Sequence, residues 1–516
     1  MLSTPARSLA PSPSSAPSSG SAPSRTRLFS RAVERPRCLL SRLVVVAAAL
    51  LAASCVTDRA PIRWEAWRET YPAGDYATPL AEKAQRIDRH LVSHHLAARG
   101  VLVYSRRCDL PGDPDTIYDN VADQTIWTGA LVAVRTFEYR LSGAAGDRAR
   151  LLEVLRGLAL LHDVTGKPGL FSRAVFPVGR PLRGEKASQE WRPGAPPYDV
   201  FRYRGDVSKD QYFGVLFGYA AVVSELGIDA TSGDPEIRAL VAGPAVAVAD
   251  HIWENGLSIV DVDGETTKHG DLAGHILCIP IGPNAQLDLG FQLLASRVSG
   301  LPRFRERYDE LLARGYAEAT GNVKFEIFGK TNHNNDNMGM MGLWALAALE
   351  QEPGVRARFD RALAGLWGVT RHEGNSFFHA ICASRFELPR FARFDLVENL
   401  RLFPVAPEVH GVDVRGLPGV ERAFFKSRFG RVQNTTALPV HLRPRSSFVW
   451  TRSPFELEFA VAEPGARCVA GVDYLLAYWM ARRYLGDVEA VERTPPPLAE
   501  RDGHLVRLVS RVSEPR

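Results

Sequence analysis

The hydrophobic pattern of the chain repeats one unit. A short polar cluster opens onto a run that is apolar on every side. The densest case is Thr331 to Leu349, TNHNNDNMGMMGLWALAAL. Asn and Asp suit the mouth of a helix, because their side chains accept the unpaired N–H groups of its first turn. A helix that is apolar all round is buried. Its polar mouth must then open on a cleft, or the amides and carboxylates would lie unpaired in the core.

Four more stretches repeat this arrangement. Asp123-Gln124 precedes IWTGALVAVRTFEY, and Asp210-Gln211 precedes YFGVLFGYAAVVSELG. Gln286 and Asp288 lead into LGFQLLASRVSG, and Asp473 leads into YLLAYWMARRYLG. The spacing is irregular, so no fixed-period solenoid is expected. The five starts at Asp123, Asp210, Asp288, Asp336 and Asp473 are expected to converge on one face. N-capping alone is the plainer reading of any single one.

Helical periodicity covers 80–99, 123–142, 149–161, 210–226, 235–252, 287–299, 303–320, 337–349, 354–366, 377–386 and 471–485. Buried helices alternate with amphipathic ones across Gly-rich turns such as SGAAGD and SGLP. This is the pattern of an all-α (α/α) toroid of paired inner and outer helices. It extends over 80–486, after a tether at 55–79 and before a C-terminal tail at 487–516. Long loops interrupt the pairs at 164–209 and 259–284, and such loops are usually functional. Within the second, LSIVDVDGETTKHGDL reads as a β-hairpin with a type I′ turn at Asp263-Gly264. Asp261-x-Asp263-Gly264 matches part of a calcium loop whose other ligands are missing. Residues 405–465 alternate in patches and suggest a small β-rich insertion.

Composition changes this picture at the N-terminus. Residues 1–42 are rich in Ser, Pro, Ala and Arg, and Leu43 to Ala53 is an uncharged apolar run. Together they read as a leader and secretory signal over 1–54. The run is too short to span a bilayer. Its LAASC ending resembles a bacterial lipobox, with Cys55 as the lipidated residue. A membrane-anchored lipoprotein of the cell envelope is therefore expected. The leader carries seven arginines against one glutamate, about +6 of a formal +5. The remaining chain is then about −1, which removes the charge argument for nucleic acid. Cys108, Cys278, Cys382 and Cys468 are far apart and lack metal-type spacing. They allow three disulfide connectivities, and a core this large favours the reading as four buried thiols.

The order of SKDQYFGVLFGYA, IVDVDGETTKHGDL, LDLGFQLLASRVSGLPRFRERYDELLARGY, NHNNDNMGMMGLWALAALEQEP and RHEGNSFFHAICA resembles bacterial secreted six-hairpin toroid proteins. That group includes many glycoside hydrolases and polysaccharide lyases. The resemblance implies an exported enzyme that cleaves glycosidic bonds of a carbohydrate, by hydrolysis or uronate elimination. Hydrolysis needs two carboxyl groups, for which Asp210 and Asp336 are the candidates, with Asp206 and Asp271 as alternates. Elimination needs a base and neutralisation of the substrate carboxylate. His269 and His333 are the candidate bases. Tyr212 is a further base candidate or a stacking platform, with Trp191 and Trp127 as other platforms. Arg204, Asn334 and Asn335 would bind substrate; His275 and His379 read as buried, satisfied histidines. The chain has no nucleophile elbow, phosphate-binding glycine loop or H-E-x-x-H pattern, so no metal or cofactor is expected. A surface lipoprotein that binds glycan or peptidoglycan without turning it over is the alternative.

Overall fold

The computed structural model describes residues 61–500 except 98–99, 104, 108–117, 121, 181–189, 277–278, 324–331, 407, 409–413, 427–429, 444–447, 458–466 and 498–499. The leader, Cys55, Cys108 and Cys278 lie outside the described residues.

The described chain is mainly helical. Its long helices are α1 (Leu80–His94), α2 (Gln124–Ser142), α3 (Ala145–Asp163), α4 (Lys209–Leu226), α5 (Pro235–Glu254) and α6 (Gly282–Ser299). They continue as α7 (Pro302–Ala313), α8 (His333–Leu349), α9 (Pro353–Thr370), α10 (Ser376–Ala383), α11 (Arg390–Leu402) and α12 (Val472–Leu485). The five polar-start helices α2, α4, α6, α8 and α12 are buried along most of their lengths. α2 packs on α4 and α12, α4 on α6 and α8, α6 on α8, and α10 on α8 and α12. The others cover them: α3 lies on α2, α5 and α7 on α6, α9 on α8, and α1 on α12. The first long helix thus pairs with the last.

Glycine sets the closest of these approaches. A Cβ on Gly129 of α2 would lie 2.2 Å from the carbonyl oxygen of Gly214 in α4. One on Gly214 would lie 2.3 Å from that of Ile126. Backbone meets backbone here, which no larger residue permits. The crossing is within two turns of the N-terminal ends of both helices, so it holds Asp123 and Asp210 near one another.

The loop expected at 164–209 contains a three-stranded antiparallel sheet. Its strands, numbered after β1 (Ser105–Arg107) and β2 (Tyr118–Asn120), are β3 (Ala174–Pro177), β4 (Trp191–Pro193) and β5 (Phe201–Arg204), in the order β3-β5-β4. The second loop carries the expected hairpin, β6 (Ser258–Val260) with β7 (Thr266–Asp271). Its turn is not type I′, because only Gly264, and not Asp263, is left-handed. Among the described residues of 405–465 there is one two-stranded pair, Arg422–Lys426 with Val432–Asn434, and single-turn helices.

Two helix expectations change. α6 begins at Gly282-Pro283, so Asp288 sits in its second turn rather than at its mouth. α11 falls where no helix is expected. It carries charges among its apolar residues yet buries Asp395, Glu398 and Arg401. Cys468 is disulfide-bonded, so the reading as four buried thiols is wrong for that residue; Cys382 is a buried thiol.

Candidate functional site

The starts of α2 and α4 share one hydrogen-bonded network. Arg173, just before β3, donates to Asp123 Oδ1 at 2.8 Å and to Ser208 Oγ at 2.9 Å. Gln211 of α4 donates through Nε2 to Asp123 Oδ1 at 3.0 Å. The same side chain accepts the Ile126 N–H at 3.0 Å, so α4 caps the first turn of α2. Asp210 Oδ1 accepts from the Ser208 hydroxyl and, at 3.1 Å, from the Gln211 N–H. Both carboxyls are half-buried, with 35% of the Asp123 side chain in contact with solvent. Burial raises the pKa of Asp123; Arg173 opposes this, and the neighbouring Asp210 charge adds to it.

Lys209 extends the network toward α6. Its Nζ donates to Asn284 Oδ1 at 2.8 Å, and Asn284 Nδ2 donates to the Asp271 carbonyl at 3.2 Å. Burial lowers the Lys209 pKa, while Asp271, Asp210 and Asp288 hold it up. Asp288 lies one turn beyond Asn284. It is fully buried, and neither carboxyl oxygen makes a hydrogen bond among the described residues. Burial pushes its pKa well above the carboxylate range, and the Asp271 charge adds to the rise.

The start of α8 forms a second grouping. His333, Asp336 and Glu373 are all buried, and one ligand atom from each lies within 4.8 Å of the others. His333 Nε2 is 3.3 Å from Glu373 Oε1, without hydrogen-bond alignment. These three residues could hold a metal ion, although the sequence contains no recognised metal spacing. Arg443 is buried beside them and donates to the carbonyls of Leu438 at 2.8 Å and Glu373 at 2.6 Å. Burial lowers its pKa to about 9.

The other expected site residues divide differently. Asp206, left-handed at φ 49°, accepts the Lys268 N–H at 2.8 Å and donates its own N–H to Asp261. This clamps the β6–β7 hairpin down. Asp261 also takes Arg192 and the Val262 N–H, so its carboxylate is committed to protein donors. His269 and Asp271 are exposed on β7. Asn334 is exposed and Asn335 half-buried at the start of α8. Trp191 is half-buried opposite Arg204 on β5, with the Arg202 guanidinium 4.8 Å from its ring.

Tyr212 corrects an expectation. It is fully buried, donates to the Gly169 carbonyl at 3.0 Å and accepts the Phe171 N–H at 3.2 Å. It is a core residue and offers no face to a ligand. Asp473 is also structurally committed, accepting the Val449 N–H at 3.0 Å. Trp127 stacks on Phe448 at 4.5 Å within the core. His379 accepts the Trp367 indole N–H at 3.0 Å, as a satisfied histidine should, whereas His275 is exposed. Asp123, Arg173, Lys209, Asn284 and Glu373 were not among the expected site residues. Repetition of Asp-Gln at 123–124 and 210–211 is the sequence signal that pointed to the first of them.

No protein-family model matches the chain, and no curated protein is similar to it.

Proposed function

We propose that the chain is an exported glycan-active enzyme, an (α/α) toroid anchored through Cys55 to the cell envelope, that hydrolyses glycosidic bonds. The packing circuit α2–α4–α6–α8–α10–α12 and back to α2 supports the toroid. The disulfide at Cys468 supports export, because such bonds persist in oxidising compartments.

The reading rests on one observation: two half-buried carboxyls, Asp123 and Asp210, share a network in which one is driven toward its protonated form. A carboxyl held toward its protonated form can act as the acid of a two-carboxyl glycosidase site. In this scheme Asp123 gives its proton to the leaving glycosidic oxygen as the C–O bond breaks. Asp210 accepts a proton from the water that attacks the anomeric carbon. Arg173 and Gln211 fix Asp123 through Oδ1. Lys209 uses one N–H on Asn284 and keeps two donors for an acidic sugar.

A screen of the protein against acidic and neutral polysaccharides tests this reading. New reducing ends without ultraviolet absorbance support hydrolysis. An absorbing unsaturated product would replace hydrolysis by elimination, and binding without product would leave a glycan-binding lipoprotein.

A further inference from the structure

We infer that His333, Asp336 and Glu373 form a binding site for one divalent transition-metal ion of the Zn2+ or Mn2+ type. The three residues come from the first turn of α8 and from the turn after α9, yet their ligand atoms converge within 4.8 Å in the protein interior. Ligands about 2.1 Å from a tetrahedral ion lie about 3.4 Å apart. His333 Nε2 and Glu373 Oε1 are 3.3 Å apart, in contact but not aligned as a hydrogen bond. An imidazole nitrogen that is nine-tenths buried and makes no hydrogen bond among the described residues is expensive without a ligand. A metal between the two atoms would give that nitrogen a partner.

The donor set selects the ion. Imidazole suits Zn2+, Mn2+ and their neighbours, while two carboxylates suit hard and borderline dications. Ca2+ requires six to eight oxygens, and this set supplies two carboxyl groups and a nitrogen. The positive end of α8 opposes a cation with about half a charge, and two carboxylates outweigh it. Arg443 adds positive charge nearby, but it donates to the backbone carbonyls of Leu438, Glu373 and Gly374.

The test is equilibrium dialysis of the full chain against Zn2+, Mn2+ and Ca2+, followed by metal analysis and thermal unfolding. The expected result is about one Zn2+ or Mn2+ per chain, a higher Tm with that ion, and no comparable effect of Ca2+. His333→Asn and Glu373→Gln should each weaken binding by more than about 100-fold, beyond the roughly 10–100-fold cost of losing an outer-shell partner. Absence of stoichiometric metal in the wild type overturns the site and leaves a histidine–carboxylate contact. Metal retained equally by both variants overturns it as well. If either variant fails to fold, Co2+ bound to the wild type gives the answer: thiolate charge-transfer bands or a six-coordinate water-like spectrum would contradict a nitrogen–oxygen pocket. None of these readouts depends on glycan turnover, so the metal site and the proposed activity stand or fall separately.

Discussion

The polar groups at the starts of α2 and α4 and those at the start of α8 look alike in sequence and are built differently in space. At the first, Asp123 and Asp210 reach solvent, and Arg173, Ser208 and Gln211 supply donors to their oxygens. At the second, His333, Asp336 and Glu373 are buried, and the Nε2 atom of His333 makes no hydrogen bond among the described residues. A solvated, hydrogen-bonded pair of carboxyls suits proton transfer to a substrate. A buried set of ligand atoms that converge within 4.8 Å suits an ion. A polar helix start is therefore built in at least two distinct ways in one chain. The difference comes from the neighbouring element: the Arg173 strand region in one case, the Glu373 turn in the other.

The sharpest way to break this contrast is to remove one member of the open pair. Asp210→Asn should reduce turnover on a confirmed glycan by a factor on the order of 10² to 10⁴, the usual range for general acid–base catalysis. Asp123→Asn should have a similar effect and remove the fall in activity on the alkaline side that deprotonation of this carboxyl causes. Metal retention at His333 should be unchanged in both. Near-normal steady-state rates in both variants would take the open pair out of the chemistry.

Asp288 gives a second test, read from stability rather than turnover. Its folded pKa is raised, so the native chain holds a proton that the unfolded chain releases above about pH 4. The unfolded state then binds fewer protons, and stability falls as pH rises. Asn at this position carries no such proton. Relative to wild type, Asp288→Asn should gain stability with rising pH, by up to about 1.4 kcal/mol per unit between pH 5 and 7. Groups common to both proteins cancel in the difference. Parallel denaturant-unfolding curves across that window would mean that Asp288 ionises normally.

Much of the fold is legible in the sequence, and less of the candidate site. Ten of the long helices follow apolar periodicity closely, because a fully buried helix leaves an uninterrupted apolar run, as in Val215–Val223 and Met338–Leu349. α11 escapes because it buries charges: Glu398 pairs with Arg401, and Asp395 accepts the Trp64 indole N–H at 2.8 Å. No periodicity rule anticipates a buried ion pair. Asp123 and Asp210 are visible as helix starts, but their pairing is not, since it depends on a glycine crossing between helices. Tyr212 misleads for a related reason. It follows Asp210-Gln211 by one residue, and the helical rotation that points Asp210 toward solvent turns Tyr212 into the core. Glu373 lies 40 residues from His333, and only the packing of α9 against α8 and α10 places them together.

The smallest perturbation addresses that glycine crossing. In Gly214→Ala the added methyl would sit 2.3 Å from the Ile126 carbonyl oxygen and 2.4 Å from its Cα. These are backbone atoms, so no side chain can rotate away, and α4 must move from α2. Overpacking of this kind costs roughly 1–3 kcal/mol. Thermal unfolding should show that loss. The displacement also stretches the bond from Gln211 to Asp123, which crosses the same junction. Activity should therefore fall by more than the folded fraction accounts for, mainly in kcat. The α8 grouping draws on His333, Asp336 and Glu373 rather than on α2, so its metal content should persist. Loss of stability with an unchanged kcat would separate the helix crossing from the open carboxyl pair, and a simultaneous loss of metal would show that the two groupings are not independent.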